Sequence, residues 1–214
     1  MAKDHSTTRS ADRHSPVLGG LLVGGRSRRM GRPKATLVDR GTALGERVAA
    51  ALRPHVAELL LLGQGPVPPS LEGLERLPDA PLPPADGSLP IPTAGRTAGP
   101  LAGILAALRA RPGAAWVICP CDLPAIEPAA VAWLLGQRRP GRAAVLPRAA
   151  AAGPPEPLFA LYEPAALVLA EGLAAEGARA PRRLASLPGV ATVTVPPSLA
   201  HCWRDADTPA DLAG

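Results

Sequence analysis

The chain has 214 residues, 47% apolar but only 2% aromatic, which is enough aliphatic content for one α/β core. It lacks the aromatic platforms on which single-stranded nucleic acid stacks. The net charge of +5 is confined to the start of the chain: residues 1–40 hold nine Lys and Arg against three Asp, and the rest hold fourteen against fifteen acidic residues. Three cysteines, two of them spaced C-x-C at Cys119 and Cys121, form neither an even disulfide framework nor a zinc site, so a reducing cytoplasm is expected. Residues 1–15 are polar and the apolar run Val17–Val23 is far too short to span a bilayer, so no membrane association is expected.

In chain order, Val17–Val23 predicts a buried first strand, followed at once by a Gly- and Arg-rich loop, Gly24–Lys34. Thr42 to about Arg53 places Leu44, Val48 and Leu52 on one helical face, with Pro54 at its end, and a second strand is expected at Glu58–Leu62. Gln64–Ala98 is dense in proline and little periodic, and predicts a long surface excursion. Leu101, Ile104, Leu105 and Leu108 mark a helix that stops before Pro112. A strand at Trp116–Cys121 then runs into Asp122, and a helix is expected near Pro128–Arg138.

Further strands are predicted at Ala143–Leu146, Leu158–Tyr162 and Ala191–Val195, with helices near Pro164–Glu176 and Pro181–Leu187 and a short last one begun near Pro209. Alternating strands and helices imply a mainly parallel sheet covered on both faces, a Rossmann-like three-layer α/β sandwich. Ligands bind such sheets at the carboxyl ends of the strands, where Gly24 and Asp122 both fall.

Four segments could carry chemistry. Leu22–Lys34 (L-V-G-G-R-S-R-R-M-G-R-P-K) combines exposed backbone N–H groups at Gly24, Gly25 and Gly31 with Arg26, Arg28, Arg29, Arg32 and Lys34. Glycines let phosphate oxygens reach the backbone, and guanidinium forks pair with them bidentately. A solvated basic turn or a nucleic-acid patch is the other reading of this loop. A Walker loop is excluded, because Gly31 precedes Arg-Pro-Lys rather than Lys-Ser/Thr.

In C-P-C-D-L-P, Cys119–Pro124, Asp122 stands where it could hold Mg²⁺ beside phosphates, or simply cap a turn. Cys119 and Cys121 fit small core residues. G-P-L-A-G, Gly99–Gly103, opens a helix whose free N–H groups could receive a base or ribose, or which could merely pack closely on the sheet. W-R-D-A-D-T-P, Trp203–Pro209, presents Asp205 and Asp207 before the last helix, where capping is the simpler role.

Together with P-L-F-A-L-Y and D-x-D-T-P-x-D-L, these motifs make the chain resemble the molybdenum cofactor guanylyltransferases, the MobA-like proteins, within the nucleotide-diphospho-sugar transferase-like group. The resemblance runs from about Val17 to Leu212. It implies a flexible N-terminal arm over residues 1–15 and a single nucleotidyltransferase domain over 16–214. The implied reaction moves GMP from GTP to the phosphate of molybdenum-bound molybdopterin, with Mg²⁺ required and pyrophosphate released. By position, Leu22, Val23 and Gly24 would contact the nucleotide through backbone, Lys34 would bind phosphate, Arg29 would face the triphosphate, and Asp122 would bind nucleotide and Mg²⁺. Asp207, with Asp205 beside it, falls where related transferases place a second metal-proximal group. Molybdoenzyme chaperones are implied as further partners.

Three positions depart from the family pattern. Gly63 stands where the family often has Asn, and Val23 replaces the usual Ala. Pro92 or Thr93 occupies the register of a family Asp before G-P-L-A-G, with Asp79 and Asp86 as out-of-register candidates. These changes bear on guanine recognition rather than on phosphate handling. Relatives that use CTP tend to carry L-A-A-G in the first loop, so the glycine pair here favours guanine. A cytidylyltransferase, a degenerate nucleotide-binding homologue and a basic nucleic-acid binder using the first 40 residues are the alternatives.

Overall fold

The computed structural model describes residues 15–24, 32–83, 99–206 and 208–212. The chain enters through β1 (Val17–Leu22), forms a small antiparallel hairpin from β2 (Val38–Asp39) and β3 (Thr42–Ala43), and continues into α1 (Leu44–Leu52). β4 (Leu59–Leu62), β5 (Arg76–Leu77), α2 (Pro100–Ala110), β6 (Ala115–Pro120) and α3 (Pro128–Leu135) follow. β7 (Ala144–Arg148), β8 (Ala160–Tyr162), α4 (Ala166–Ala175) and β9 (Val190–Thr194) complete the regular elements, with short 3₁₀ turns between and after them. Seven strands form one sheet in the order β5-β4-β1-β6-β8-β7-β9.

The layers follow from the alternation of side chains along each strand. In β4, Leu59 and Leu61 pack with Val48 and Leu52 of α1 and Val131 and Leu134 of α3. Leu60 and Leu62 point the other way, into a second core with Leu101, Ile104 and Leu105 of α2 and Leu173 of α4. β6 divides in the same manner, Val117 and Cys119 to the first core and Trp116 and Ile118 to the second. A strand buried on both faces needs a continuous apolar run, and that is how these strands are written. Each fully buried leucine contributes about 1.5–3 kcal/mol, so this leucine-rich centre fixes the strand order rigidly.

The α/β three-layer sandwich expected from the sequence is therefore present, and β8 alone runs antiparallel, between β6 and β7. Boundaries moved by a few residues: the first strand ends at Leu22, the helix expected from Thr42 starts at Leu44, and the helix toward Arg138 ends at Leu135. Thr42–Ala43 is instead β3, and Glu46 begins α1 by accepting a hydrogen bond from the Ala43 amide at 3.1 Å. The segment expected as helix at Pro181–Leu187 is a 3₁₀ turn, Pro181–Ser186, and so is the last one, Pro209–Leu212.

The larger correction concerns residues 64–83, which are not a loose excursion. Val67, Leu71 and Ala80 are buried, and Arg76–Leu77 adds the edge strand β5 to β4 in parallel. Residues 84–98 lie outside the described part. So do residues 1–14 of the expected arm, whereas the Ser15 carbonyl accepts from Arg138, which also pairs with Glu163 at 2.6 Å.

Register is what makes a site of these elements. Leu22 of β1 sits opposite Leu62 of β4 and Pro120 of β6, and Leu62 in turn opposite Leu77 of β5. Four adjacent parallel strands thus end at one level, and the residues after each of them meet over the same edge of the sheet.

Candidate active site

The loop after β4 lies directly on the loop after β1. The Arg76 guanidinium holds it there, donating to the carbonyls of Gly63 at 3.1 Å and Gly65 at 2.9 Å. A Cβ on Gly65 would stand 1.5 Å from the Val23 carbonyl oxygen, and one on Gly63, at φ +96°, would stand 3.0 Å from the Gly24 nitrogen. Only glycine allows this approach. Gly65→Ala must push the two loops apart. We expect it to lower stability by about 1–3 kcal/mol, the overpacking range, and to weaken nucleotide binding, which thermal melting and a nucleotide titration would check.

These strand ends surround a cavity of about 870 Å³. Leu22, Val23, Gly24, Lys34 and Asp122 all line it, so the structure brings together every described residue expected to handle nucleotide or metal. Lys34 opens a 3₁₀ turn, Lys34–Thr36, and its Nζ meets Asp122 Oδ2 at 2.7 Å across 88 positions of sequence. Both side chains are largely enclosed, at 17% and 15% exposure. Arg29 and Asp207 lie outside the described residues, together with the rest of 25–31.

Asp122 ends the central strand run, and its carboxyl pKa is raised from its ordinary value. Burial is the main cause; Lys34 opposes it, and the negative charge of Asp205 adds to it. Asp205 therefore faces the same spot as Asp122. Its segment is fastened there by the Ala206 amide, which donates to the Asp122 carbonyl at 2.9 Å. Of the two carboxylates in D-x-D, Asp205 lines the cavity. Beyond it, the capping in this motif belongs to Thr208, whose amide and hydroxyl donate to the Asp211 carboxylate at 2.7 and 2.9 Å.

Cys119 and Cys121 are core residues, as expected. Burial drives both thiols up, Cys121 to about 12, so neither is a nucleophile at neutral pH.

On one side of Asp122 the cavity is closed by Gly65, Pro66, Gly99, Pro100 and Asp79. Asp79 follows β5, and its Oδ1 lies 3.6 Å from where a Cβ on Gly63 would be and 3.8 Å from one on Gly103. The carboxylate of the out-of-register candidate is thus in the site, while Asp86, Pro92 and Thr93 lie outside the described residues. On the other side stand Glu156, Phe159, Arg182 and Trp203, of which only Phe159 and Trp203 fell within motifs read from the sequence, P-L-F-A-L-Y and W-R-D-A-D-T-P. Arg182 brings a cation to that end and donates to the Pro155 carbonyl at 3.2 Å. Burial raises the Glu156 carboxyl, Arg182 opposes the shift and Asp205 reinforces it, so these charges share one space. Trp203 stacks on Phe159 with centroids 4.4 Å apart and meets Trp133 edge-on at 5.6 Å. P-L-F-A-L-Y and the opening Trp of W-R-D-A-D-T-P were the sequence signals for this wall, and Arg182 carried none.

Comparison with known proteins agrees with this arrangement. A family model described as a MobA-like NTP transferase domain matches residues 19–191. A probable molybdenum cofactor guanylyltransferase of Deinococcus radiodurans is 36% identical over 200 residues, covering 92% of this chain and 93% of that one. A molybdenum cofactor biosynthesis bifunctional protein of Synechocystis is 34% identical over 157 residues, 72% of this chain but 41% of its own length. The fold is shared with a crystal structure of molybdopterin-guanine dinucleotide biosynthesis protein A from Archaeoglobus fulgidus, with a TM-score of 0.67 at 23% identity, covering 92% and 95% of the two chains. With a family model spanning most of its length and a relative matched nearly end to end, the chain belongs to the MobA-like NTP transferase family.

Proposed function

We propose that the protein transfers GMP from GTP to the phosphate of molybdopterin, forming the guanine dinucleotide and pyrophosphate. The observation that carries this reading is the meeting of Lys34 and Asp122 at 2.7 Å in a cavity built from four aligned strand ends, in a chain whose relatives are named guanylyltransferases. Gly24 and its neighbours offer backbone to the phosphates. Lys34 supplies positive charge where the departing pyrophosphate accumulates negative charge. No general base is needed, because the attacking phosphate oxygen is already anionic, and among the described residues no histidine lines the cavity.

The donor set fits a hard divalent cation. Asp122 and Asp205 bring carboxylate oxygens to one place, and their mutual charge, which lifts Asp122, is what a cation would neutralise. Mg²⁺ held by these two residues would add positive charge beside the triphosphate. Asp79, whose carboxylate lines the cavity, suits the N1–H and amino donors of guanine. Arg182, which also lines the cavity, suits the phosphate of the acceptor, with Phe159 and Trp203 as apolar wall. The three cysteines are all unpaired, which suits a reducing cytoplasm, and among the described residues no helix is long and apolar enough to cross a membrane.

The experiment is Mg²⁺-dependent pyrophosphate release from GTP in the presence of molybdopterin. Lys34→Ala is expected to lower kcat/KM by about 10²-fold or more, the usual cost of losing one preorganised charge at a transition state. Wild-type activity in Lys34→Ala would remove Lys34 from the reaction.

A further inference from the structure

Away from the cavity, a second group of chemically reactive side chains comes together where the 3₁₀ turn Pro197–Trp203 packs on the start of α3. Glu127 precedes α3, and its Oε1 lies 3.1 Å from His201 Nε2. Cys202, next in sequence, turns its thiol to the same place, and the donor atoms of Glu127, His201 and Cys202 all lie within 4.8 Å of one another. Glu127 and His201 keep 54% and 41% of their side chains exposed, whereas Cys202 is fully buried. The arrangement has a wet side and a closed side.

We propose that Glu127, His201 and Cys202 form a binding site for a zinc-class transition-metal ion, separate from the Mg²⁺ carboxylates at Asp122. The donor set decides the class. Carboxylate, imidazole and thiol together are what borderline and soft divalent ions select, and an ion such as Mg²⁺ does not take sulphur. The spacing also fits: two ligands about 2.0–2.2 Å from a tetrahedral ion stand about 3.3 Å apart, close to the carboxylate–imidazole separation here. Charge balances as well, since a carboxylate, a thiolate and a neutral imidazole sum to −2 against a divalent ion. The fourth position opens on the solvent side, onto a groove that Glu127 and His201 line, and takes water or an added donor.

Binding replaces the S–H bond of Cys202 by a metal–sulphur bond and releases that proton to solvent. Burial raises the free thiol, which the Glu127 backbone amide partly opposes through its hydrogen bond to the sulphur, so the metal-free state holds a neutral Cys202 and a His201–Glu127 pair. The turn that supplies His201 and Cys202 leads directly into Trp203 and Asp205 of the cavity, so the ion would fasten that segment to α3.

The test is titration of the full-length protein with Co²⁺ in excess Mg²⁺, which occupies the carboxylates at Asp122. The expected result is a saturable, one-to-one thiolate-to-cobalt charge-transfer band, reversed by Zn²⁺, with a rise in Tm on saturation. Cys202→Ala abolishes the band and Cys121→Ala leaves it. His201→Ala, exposed enough not to disturb the core, weakens binding by about tenfold or more, since even outer-shell partners cost that much. Absence of a saturable band, a band lost with Cys121 rather than Cys202, or unchanged affinity in His201→Ala would each overturn the proposal. All three readouts stand apart from transferase activity.

Discussion

Replacing Asp122 by alanine is expected to lower kcat for pyrophosphate release by about 10²–10³-fold, the range seen when one electrostatic contributor is removed from a preorganised site. The fold should survive. Asp122 holds its neighbouring segment through its backbone carbonyl, which accepts from Ala206, and that bond does not depend on the side chain. Lys34 loses a partner at 2.7 Å, so the nucleotide KM shifts less than kcat. Steady-state kinetics beside a thermal melt separate the two effects.

The same residue sets the acid limb of activity. Burial raises its carboxyl pKa in the metal-free protein, so on acidification the metal-binding anion is lost sooner than from an ordinary aspartate, and kcat/KM falls. For stability the sign is opposite. A group whose pKa is higher folded than unfolded favours folding most in acid, below its unfolded pKa, and loses that contribution as pH rises through the folded value. Measured without metal, this part of the stability therefore declines as pH rises through the folded pKa, whereas the Mg²⁺-dependent activity rises.

The second large effect is expected at Asp79. Asp79→Ala should reduce kcat/KM for GTP by about 10–100-fold, the worth of hydrogen bonds to a charged acceptor, while changing the rate with CTP or ATP far less. Nucleotide selectivity is the quantity to measure. Equal losses with all three nucleotides would mean that Asp79 shapes the loop but does not read the base.

Much of this site was visible in the sequence because its parts sit at strand ends that announce themselves. Val17–Leu22 and Ala115–Pro120 are apolar runs followed by a glycine and an aspartate, so Gly24 and Asp122 could be placed at one edge of a parallel sheet before any coordinates. Lys34 was legible as one of five cations in the glycine-rich loop, and its phosphate role came from the family resemblance. The strand before Asp79 was not visible: Arg76–Leu77 is two residues long, too short for any period, and its proline-rich surroundings look like loop. Counting backward from G-P-L-A-G put the expected Asp at Pro92 or Thr93, away from Asp79. What restores Asp79 is tertiary, namely pairing of β5 with the all-leucine β4.

Arg182 and Glu156 lie on turns with no motif, and only folding carries them to the cavity. Asp205 was legible as half of a pair, but its partner Asp207 lies outside the described residues, so the structure speaks for Asp205 alone.

The central claim is the identity of the transfer, and product analysis addresses it most directly. Purified protein is incubated with molybdenum-bound molybdopterin, Mg²⁺ and, in separate reactions, GTP, CTP and ATP, and the products are identified by mass spectrometry. The account predicts molybdopterin guanine dinucleotide from GTP with little product from the other two. Preferential formation of the cytosine dinucleotide, or no dinucleotide from any of the three, would contradict it.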